Sequence, residues 1–154
     1  MAYILISDDD ELVAELASDI LIDSGHGCGW VTDAAQAWEL LHTGRRPDIL
    51  LLDQDMPGMS GVTLLRKLRG SPLYYDLPVI MFTAMSGIED ESQAIYAGAQ
   101  DFIRKPFNPK TLTSRVNQLL TKREGSPRHK DLKTVMAESS GYVGAAELRA
   151  RRMV

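Results

Sequence analysis

Asp8, Asp9 and Asp10 follow the apolar run Tyr3 to Ile6 after a single serine, and Asp53 and Asp55 flank a glutamine directly behind a second run, Ile49 to Leu52. One aspartate is enough to cap a helix, because a side-chain oxygen satisfies free N–H groups and a negative charge suits the positive end of the helix dipole. Asp10 has the place for that role, which leaves Asp8 and Asp9 nearer the end of the run. Two unit charges 4 Å apart interact by about 4 kcal/mol at an effective dielectric constant of 20. Clustered carboxylates must therefore hold a cation or take up protons. Oxygen ligands without His or Cys suit a hard ion, and a site offering only two or so carboxylates suits Mg²⁺ better than Ca²⁺.

Two further apolar runs end in chemistry-bearing residues. Thr83 follows Val79 to Phe82, and Arg104-Lys105-Pro106-Phe107 follows Phe102-Ile103. Taken singly, Thr83 is a strand-favouring residue, Lys105 a solvated surface lysine, and Asp53 a turn cap. Together they supply a carboxylate nucleophile, a hydroxyl donor and an ammonium beside an acidic metal pocket. That set fits phosphoryl transfer, in which cations neutralise the phosphoryl oxygens while a carboxylate attacks in line.

The elements that must position these groups are legible in the hydrophobic pattern. Five short apolar runs, the fifth being Cys28 to Thr32, read as strands. Between them, apolar residues at helical spacing recur at Leu12 to Leu21, Ala34 to Leu41, Leu64 to Leu68, Ser92 to Ala97 and Leu112 to Leu120. Pro and Gly punctuate the joints. Unbroken hydrophobicity in Ile49-Leu50-Leu51-Leu52 and Val79-Ile80-Met81-Phe82 is what a strand requires when helices cover both faces of its sheet. The expected fold is α/β, a doubly wound five-stranded parallel sheet with helices on both faces. Ligands of such sheets bind beyond the carboxyl ends of the strands, where the residues named above stand.

Composition narrows the field. The chain has 154 residues, about one domain's worth, and 44% hydrophobic with 25% charged residues is the balance of a globular protein rather than a disordered one. No apolar run approaches the roughly 20 residues that span a bilayer. Met1-Ala2-Tyr3-Ile4-Leu5-Ile6 lacks a basic lead and turns acidic, the wrong order for a secretory signal, so the cytoplasm is the expected compartment and no membrane the expected partner. Cys28 is the only cysteine, which excludes an intrachain disulfide and a thiolate zinc site. Residues 1–120 carry nine basic against 17 acidic side chains, a net −8, whereas residues 121–154 carry eight against four, a net +4. An acidic body is a poor binder of nucleic acid, since affinity for duplexes rests on neutralising phosphates, so residues 1–122 are not expected to touch DNA directly.

The strings ILISDDDE, PDILLLDQDMPGMSG, PVIMFTA and AGAQDFIRKPF, in this order and spacing, resemble the receiver domain of bacterial two-component response regulators, the family that includes the single-domain chemotaxis regulator. The resemblance covers residues 1–122 and implies the flavodoxin-like strand order 2-1-3-4-5. It implies that Asp53 accepts a phosphoryl group from a sensor histidine kinase or a histidine phosphotransfer protein, making the chain a switch in a phosphorelay rather than an enzyme, with autodephosphorylation at most. Asp9 and Asp53 would bind Mg²⁺ directly, Asp8 through water, and the backbone carbonyl of Asp55 would complete the protein ligands. Lys105 would pair with the phosphoryl group behind a cis Lys105-Pro106 bond. Thr83 would move toward a phosphoryl oxygen as Phe102, the switch aromatic, turns inward. Asp55 and Met85 occupy positions that tune the loss of the phosphoryl group.

Two rival readings remain. A phosphatase resembling the haloacid dehalogenase family shares the first three positions of its nucleophile motif with Asp53-Gln54-Asp55, but Pro57 stands where Thr or Val is required. A receiver-like interaction module that is never phosphorylated would ordinarily lack a site residue, and Asp8, Asp9, Asp53, Thr83 and Lys105 are all present. Residues 123–154 read as a basic C-terminal tail, linker or docking helix. Gly125-Ser126-Pro127 breaks the last helix, and Leu132, Val135 and Met136 are spaced for a short one. No pair of helices suggests a helix-turn-helix there, so output is expected through a downstream effector protein or an output domain beyond Val154, with a homodimer as a further expected assembly.

Overall fold

The computed structural model describes residues 1–84, 93–95 and 97–124, and among these the side chains of Thr83, Arg123 and Glu124 are outside the description. Strands and helices alternate as β1 (Tyr3–Ser7), α1 (Glu11–Asp23), β2 (Gly27–Val31), α2 (Ala34–Thr43), β3 (Ile49–Asp53), α3 (Gly61–Arg69), β4 (Val79–Thr83), β5 (Asp101–Arg104) and α4 (Pro109–Glu124). All neighbouring strands pair in parallel, in the order β2-β1-β3-β4-β5. This is the flavodoxin-like doubly wound sheet. Of the segment Ser92 to Ala97, residues 93–95 are helical, while Ser92 and Tyr96 lie outside the described residues, as do Met85 and the tail from Gly125.

Uninterrupted apolar strands are explained by two separate cores, one on each face of the sheet. Leu5, Leu50, Leu52, Val79 and Met81 pack under α2 and α3. Ile4, Ile6, Ile49, Leu51, Ile80, Phe82 and Ile103 pack under α1 and α4. Successive strand side chains point to opposite faces, so both sets of alternate residues must be apolar. Local signals start the helices: Asp10 Oδ1 accepts from the Leu12 and Val13 amides at 3.0 and 3.4 Å, Asp33 Oδ1 from the Gln36 amide at 2.7 Å, and Ser60 Oγ from the Thr63 amide at 3.3 Å. Among the described residues no helix is long and apolar enough to cross a membrane.

One helix departs from the sequence pattern. Leu12, Val13, Leu16, Ala17, Ile20 and Leu21 suggest a single apolar face for α1, yet the buried positions are Ala14, Ala17, Ser18 and Leu21, and Leu12 and Leu16 face solvent. The buried four follow the i, i+3, i+4, i+7 rule. Ala14, Ala17 and Ser18 are small, and Val13 and Ile20 at the edges of this face pack partly against the core.

Leu51 is fully buried in the middle of β3, paired to both β1 and β4. Leu51→Ala is expected to cost about 3 kcal/mol through lost contacts and a residual cavity, measured as a lower urea midpoint with an unchanged slope.

Candidate functional site

The carboxyl ends of β1, β3 and β5 converge on one rim. The Asp8 amide still donates to the Val31 carbonyl at 3.1 Å, so Asp8 continues the β1 ladder and is wholly buried. Asp53 closes β3 opposite Phe82 and is 2% exposed. Asp9 is exposed, and one carboxylate oxygen each from Asp8, Asp9 and Asp53 lie within 4.8 Å of one another. The side chain of Lys105 reaches back over β4, its ammonium 5.1 Å from the Phe82 ring centroid. It ends 2.6 Å from Asp8 Oδ2 and 3.4 Å from Asp53 Oδ1. Phe107 stacks on Phe82 at 5.0 Å and stiffens the floor beneath the lysine. The Lys105-Pro106 bond is cis.

Electrostatics at this rim are unbalanced. Asp8 Oδ1 accepts from the Asp10 amide at 2.9 Å, whereas the buried Oδ2 contacts the ammonium as an ion pair but accepts no aligned hydrogen bond. Burial, and then the Asp8 charge, push the Asp53 carboxyl up to about 7, although Lys105 and the Asp55 amide pull the other way. One ammonium against three carboxylates leaves net negative charge in a partly desolvated place. An all-oxygen donor set with two buried members and one exposed fits a hard divalent cation that keeps several waters.

A second set of contacts fixes Asp53 from behind, and the sequence reading missed it. A Cβ on Gly61 would lie 2.2 Å from the Asp53 carbonyl oxygen, so only glycine lets α3 start this close to the end of β3. Gln54 completes the joint: its carbonyl accepts from the Gly61 amide at 3.1 Å and its Oε1 from the Val62 amide at 2.8 Å. The glycines in Pro57-Gly58-Met59-Ser60-Gly61 were the available signal; Gly58 needs its positive φ of 81°, whereas Gly61 needs space. Thr83 ends β4 opposite Arg104, one residue beyond the level of Asp53; its side chain, like Met85, lies outside the description. The Asp55 side chain points to solvent. Phe102 is half-buried on the α2–α3 side of the sheet and lines a surface groove of about 510 Å³ with Ile95, Pro106 and Thr111.

The family description "Response regulator receiver domain" matches residues 4–117. This chain belongs to the response regulator receiver family. The receiver is 37% identical over 117 residues to the phosphate regulon transcriptional regulatory protein PhoB of Pseudomonas aeruginosa, covering 76% of this chain and 51% of that protein. It is 36% identical over 124 residues to the DNA-binding response regulator MtrA of Mycolicibacterium smegmatis, covering 80% and 53%. It therefore spans about half the length of the curated relatives it matches. The signal receiver domain of a signal transduction histidine kinase from Syntrophus aciditrophicus superposes with a TM-score of 0.75 at 32% identity, over 86% of this chain and 99% of that one. Response regulators are signalling proteins, and membership of their receiver family is consistent with a phosphorylation-dependent signalling switch and gives the dehalogenase-like reading of Asp53-Gln54-Asp55 no support.

The unbalanced rim has opposite consequences for two substitutions in metal-free buffer. A carboxyl whose folded value lies near 7, against 3.8 ordinarily, leaves stability intact below about pH 4 and erodes it as pH rises through 7. Asp53→Asn should therefore match the unsubstituted chain near pH 4 and exceed it by several degrees in Tm above pH 7. Lys105→Met should lower Tm at pH 7.5, since it strips a partner from buried carboxylates at a cost of about 1–3 kcal/mol. Thermal melts across pH decide both. Gly61→Ala should cost about 3 kcal/mol by overpacking, seen in urea unfolding.

Proposed function

We propose that Asp53 is the phosphoacceptor of this receiver and that Asp8, Asp9, Asp53 and the backbone carbonyl of Asp55 hold Mg²⁺. The observation that carries the reading is the Lys105 ammonium lying between Asp8 and Asp53, 2.6 and 3.4 Å from their oxygens, at the mouth of an acidic cluster. A carboxylate nucleophile needs oxygens of the incoming group neutralised while it attacks. Lys105 is placed to move from carboxylate to phosphoryl oxygen over a short distance. Asp53 Oδ attacks the phosphorus of a phosphohistidine on a sensor kinase or phosphotransfer protein. The P–N bond breaks, its electron pair passes to the imidazole, and the acyl phosphate remains on Asp53. Bound Mg²⁺ supplies charge neutralisation to the phosphoryl oxygens and to the crowded carboxylates. Asp8, buried and held by the Asp10 amide, keeps its carboxylate fixed during the transfer.

Readout follows from the same rim. Thr83 donates its hydroxyl to a phosphoryl oxygen, and Phe102, already half-buried beside the groove, moves inward and reshapes the surface between β5 and the helical segment that holds residues 93–95. That surface meets an effector protein, an output domain or a second receiver. Asp55, exposed beside the acceptor, and Met85 set how fast water removes the phosphoryl group. Residues 1–122 constitute the receiver, and 123–154 a basic extension outside the matched region.

A small acyl phosphate with Mg²⁺ should add one phosphoryl group to the chain, and mass spectrometry should find it on Asp53. Asp53→Asn or removal of divalent ions should abolish the addition. Labelling at another residue with Asp53 unmodified would defeat the assignment. Lys105→Ala should take up the group at least tenfold more slowly, and the amide signals around Phe102 should stay unshifted after modification.

A further inference from the structure

Helix α1 presents a face that suits water poorly. Leu12, Leu16 and Ile22 are 77%, 54% and 50% exposed. The other exposed positions of the helix are Glu11, Glu15, Asp19 and Asp23, and α1 contains no basic residue. The four acids repeat at i, i+4, where like charges repel across one turn. Asp23 ends the helix, where the macrodipole favours a cation instead. None of the four forms an ion pair among the described residues. Three large apolar side chains framed by four uncompensated acids make a surface complementary to a basic amphipathic segment.

We propose that this face of α1 docks the basic segment 125–154 of the same chain, with Leu132, Val135 and Met136 covering Leu12 and Leu16 and with Lys133, at the edge of that apolar set, meeting Glu15 and Asp19. Charge selects the occupant: residues 1–120 carry −8 and residues 121–154 carry +4. The three apolar residues of the segment stand at i, i+3 and i+4, the spacing of one helix face, and Lys133 borders that face, while Lys130 adds to the segment's positive charge. Position agrees as well. Helices α1 and α4 cover the same face of the sheet, and His26, just past α1, meets Asn117 of α4 at 3.0 Å between Nε2 and Oδ1. Seven residues, about 10 Å of helix, separate Asn117 from Glu124. A segment of 30 residues has ample length to run back along α1, which is about 20 Å long. The chief rival is the basic pair Arg66 and Lys67 on α3 of a second copy, carried on the opposite face of the sheet. Because α1 starts directly after Asp8, Asp9 and Asp10, a segment docked on its first turn borders the acidic rim.

The test uses the full chain with Cys28→Ser and Met136→Cys, a nitroxide on the new thiol, and leucine methyl signals read by NMR. Leu12 and Leu16 should lose at least half their intensity at low protein concentration. The intensity should return with Glu15→Lys and Asp19→Lys together, or in about 0.5 M salt, where the screening length falls to a few ångströms. Unchanged Leu12 and Leu16 signals would overturn the proposal, as would broadening that grows with protein concentration or centres on α3. Should the Cys28→Ser background fail to fold, Lys130→Glu with Lys133→Glu in the otherwise unaltered chain serves instead. Shifted Leu12 and Leu16 methyl signals would support docking, and unshifted ones would refute it.

Discussion

Two carboxylates, Asp8 and Asp53, are buried beside each other under a single ammonium, and the remaining features of the rim follow from that arrangement. Burial penalises both charges, and each raises the cost of the other. Lys105, 2.6 Å from Asp8 Oδ2 and 3.4 Å from Asp53 Oδ1, compensates only part of this, so burial and the Asp8 charge leave the Asp53 carboxyl near 7. A divalent ion or a proton relieves the imbalance. The site is therefore held under electrostatic strain at the place where the proposed phosphoryl transfer would occur.

Such a cluster persists only on a scaffold rigid enough to resist splaying. The sheet supplies that rigidity by being packed on both faces, so the strand ends cannot shift without disturbing two cores. Lys105 depends on the strand order: from β5 it crosses β4 over Phe82 to reach β3 and β1. Behind Asp53, the start of α3 presses on the strand carbonyl through Gly61 and is tied by Gln54, so Asp53 is held by its main chain as well as by its partners. Chemistry and packing meet in those few residues, and a change at Gly61 reaches the site without touching a charged group.

Much of this was readable in advance because the relevant signals are local. Alternating apolar runs, the helix cap at Asp10 and acids placed directly behind strands depend on neighbours in the chain, and the strand cores and the start of α1 fall where those signals put them. What escaped was non-local. Gly61 looks like any loop glycine until α3 is docked on β3. Gln54 looks neutral until its amide meets Val62. In α1, tertiary packing covered the face that carries Ala14, Ala17, Ser18 and Leu21 and left Leu12 and Leu16 in water. Hydrophobicity alone pointed to a broader and different face.

The amino-acid order by itself determined that the chain would form a parallel α/β sheet with acids at the carboxyl ends of its strands, because strand and helix periodicity are properties of consecutive residues. Only the tertiary structure decided that Lys105, 97 positions from Asp8, would place its ammonium 2.6 Å away. Strand order and register set that distance, and both come from packing two cores against one sheet. The same packing, by choosing which side of α1 to cover, left an acidic and apolar face exposed that no count of hydrophobic residues would have located.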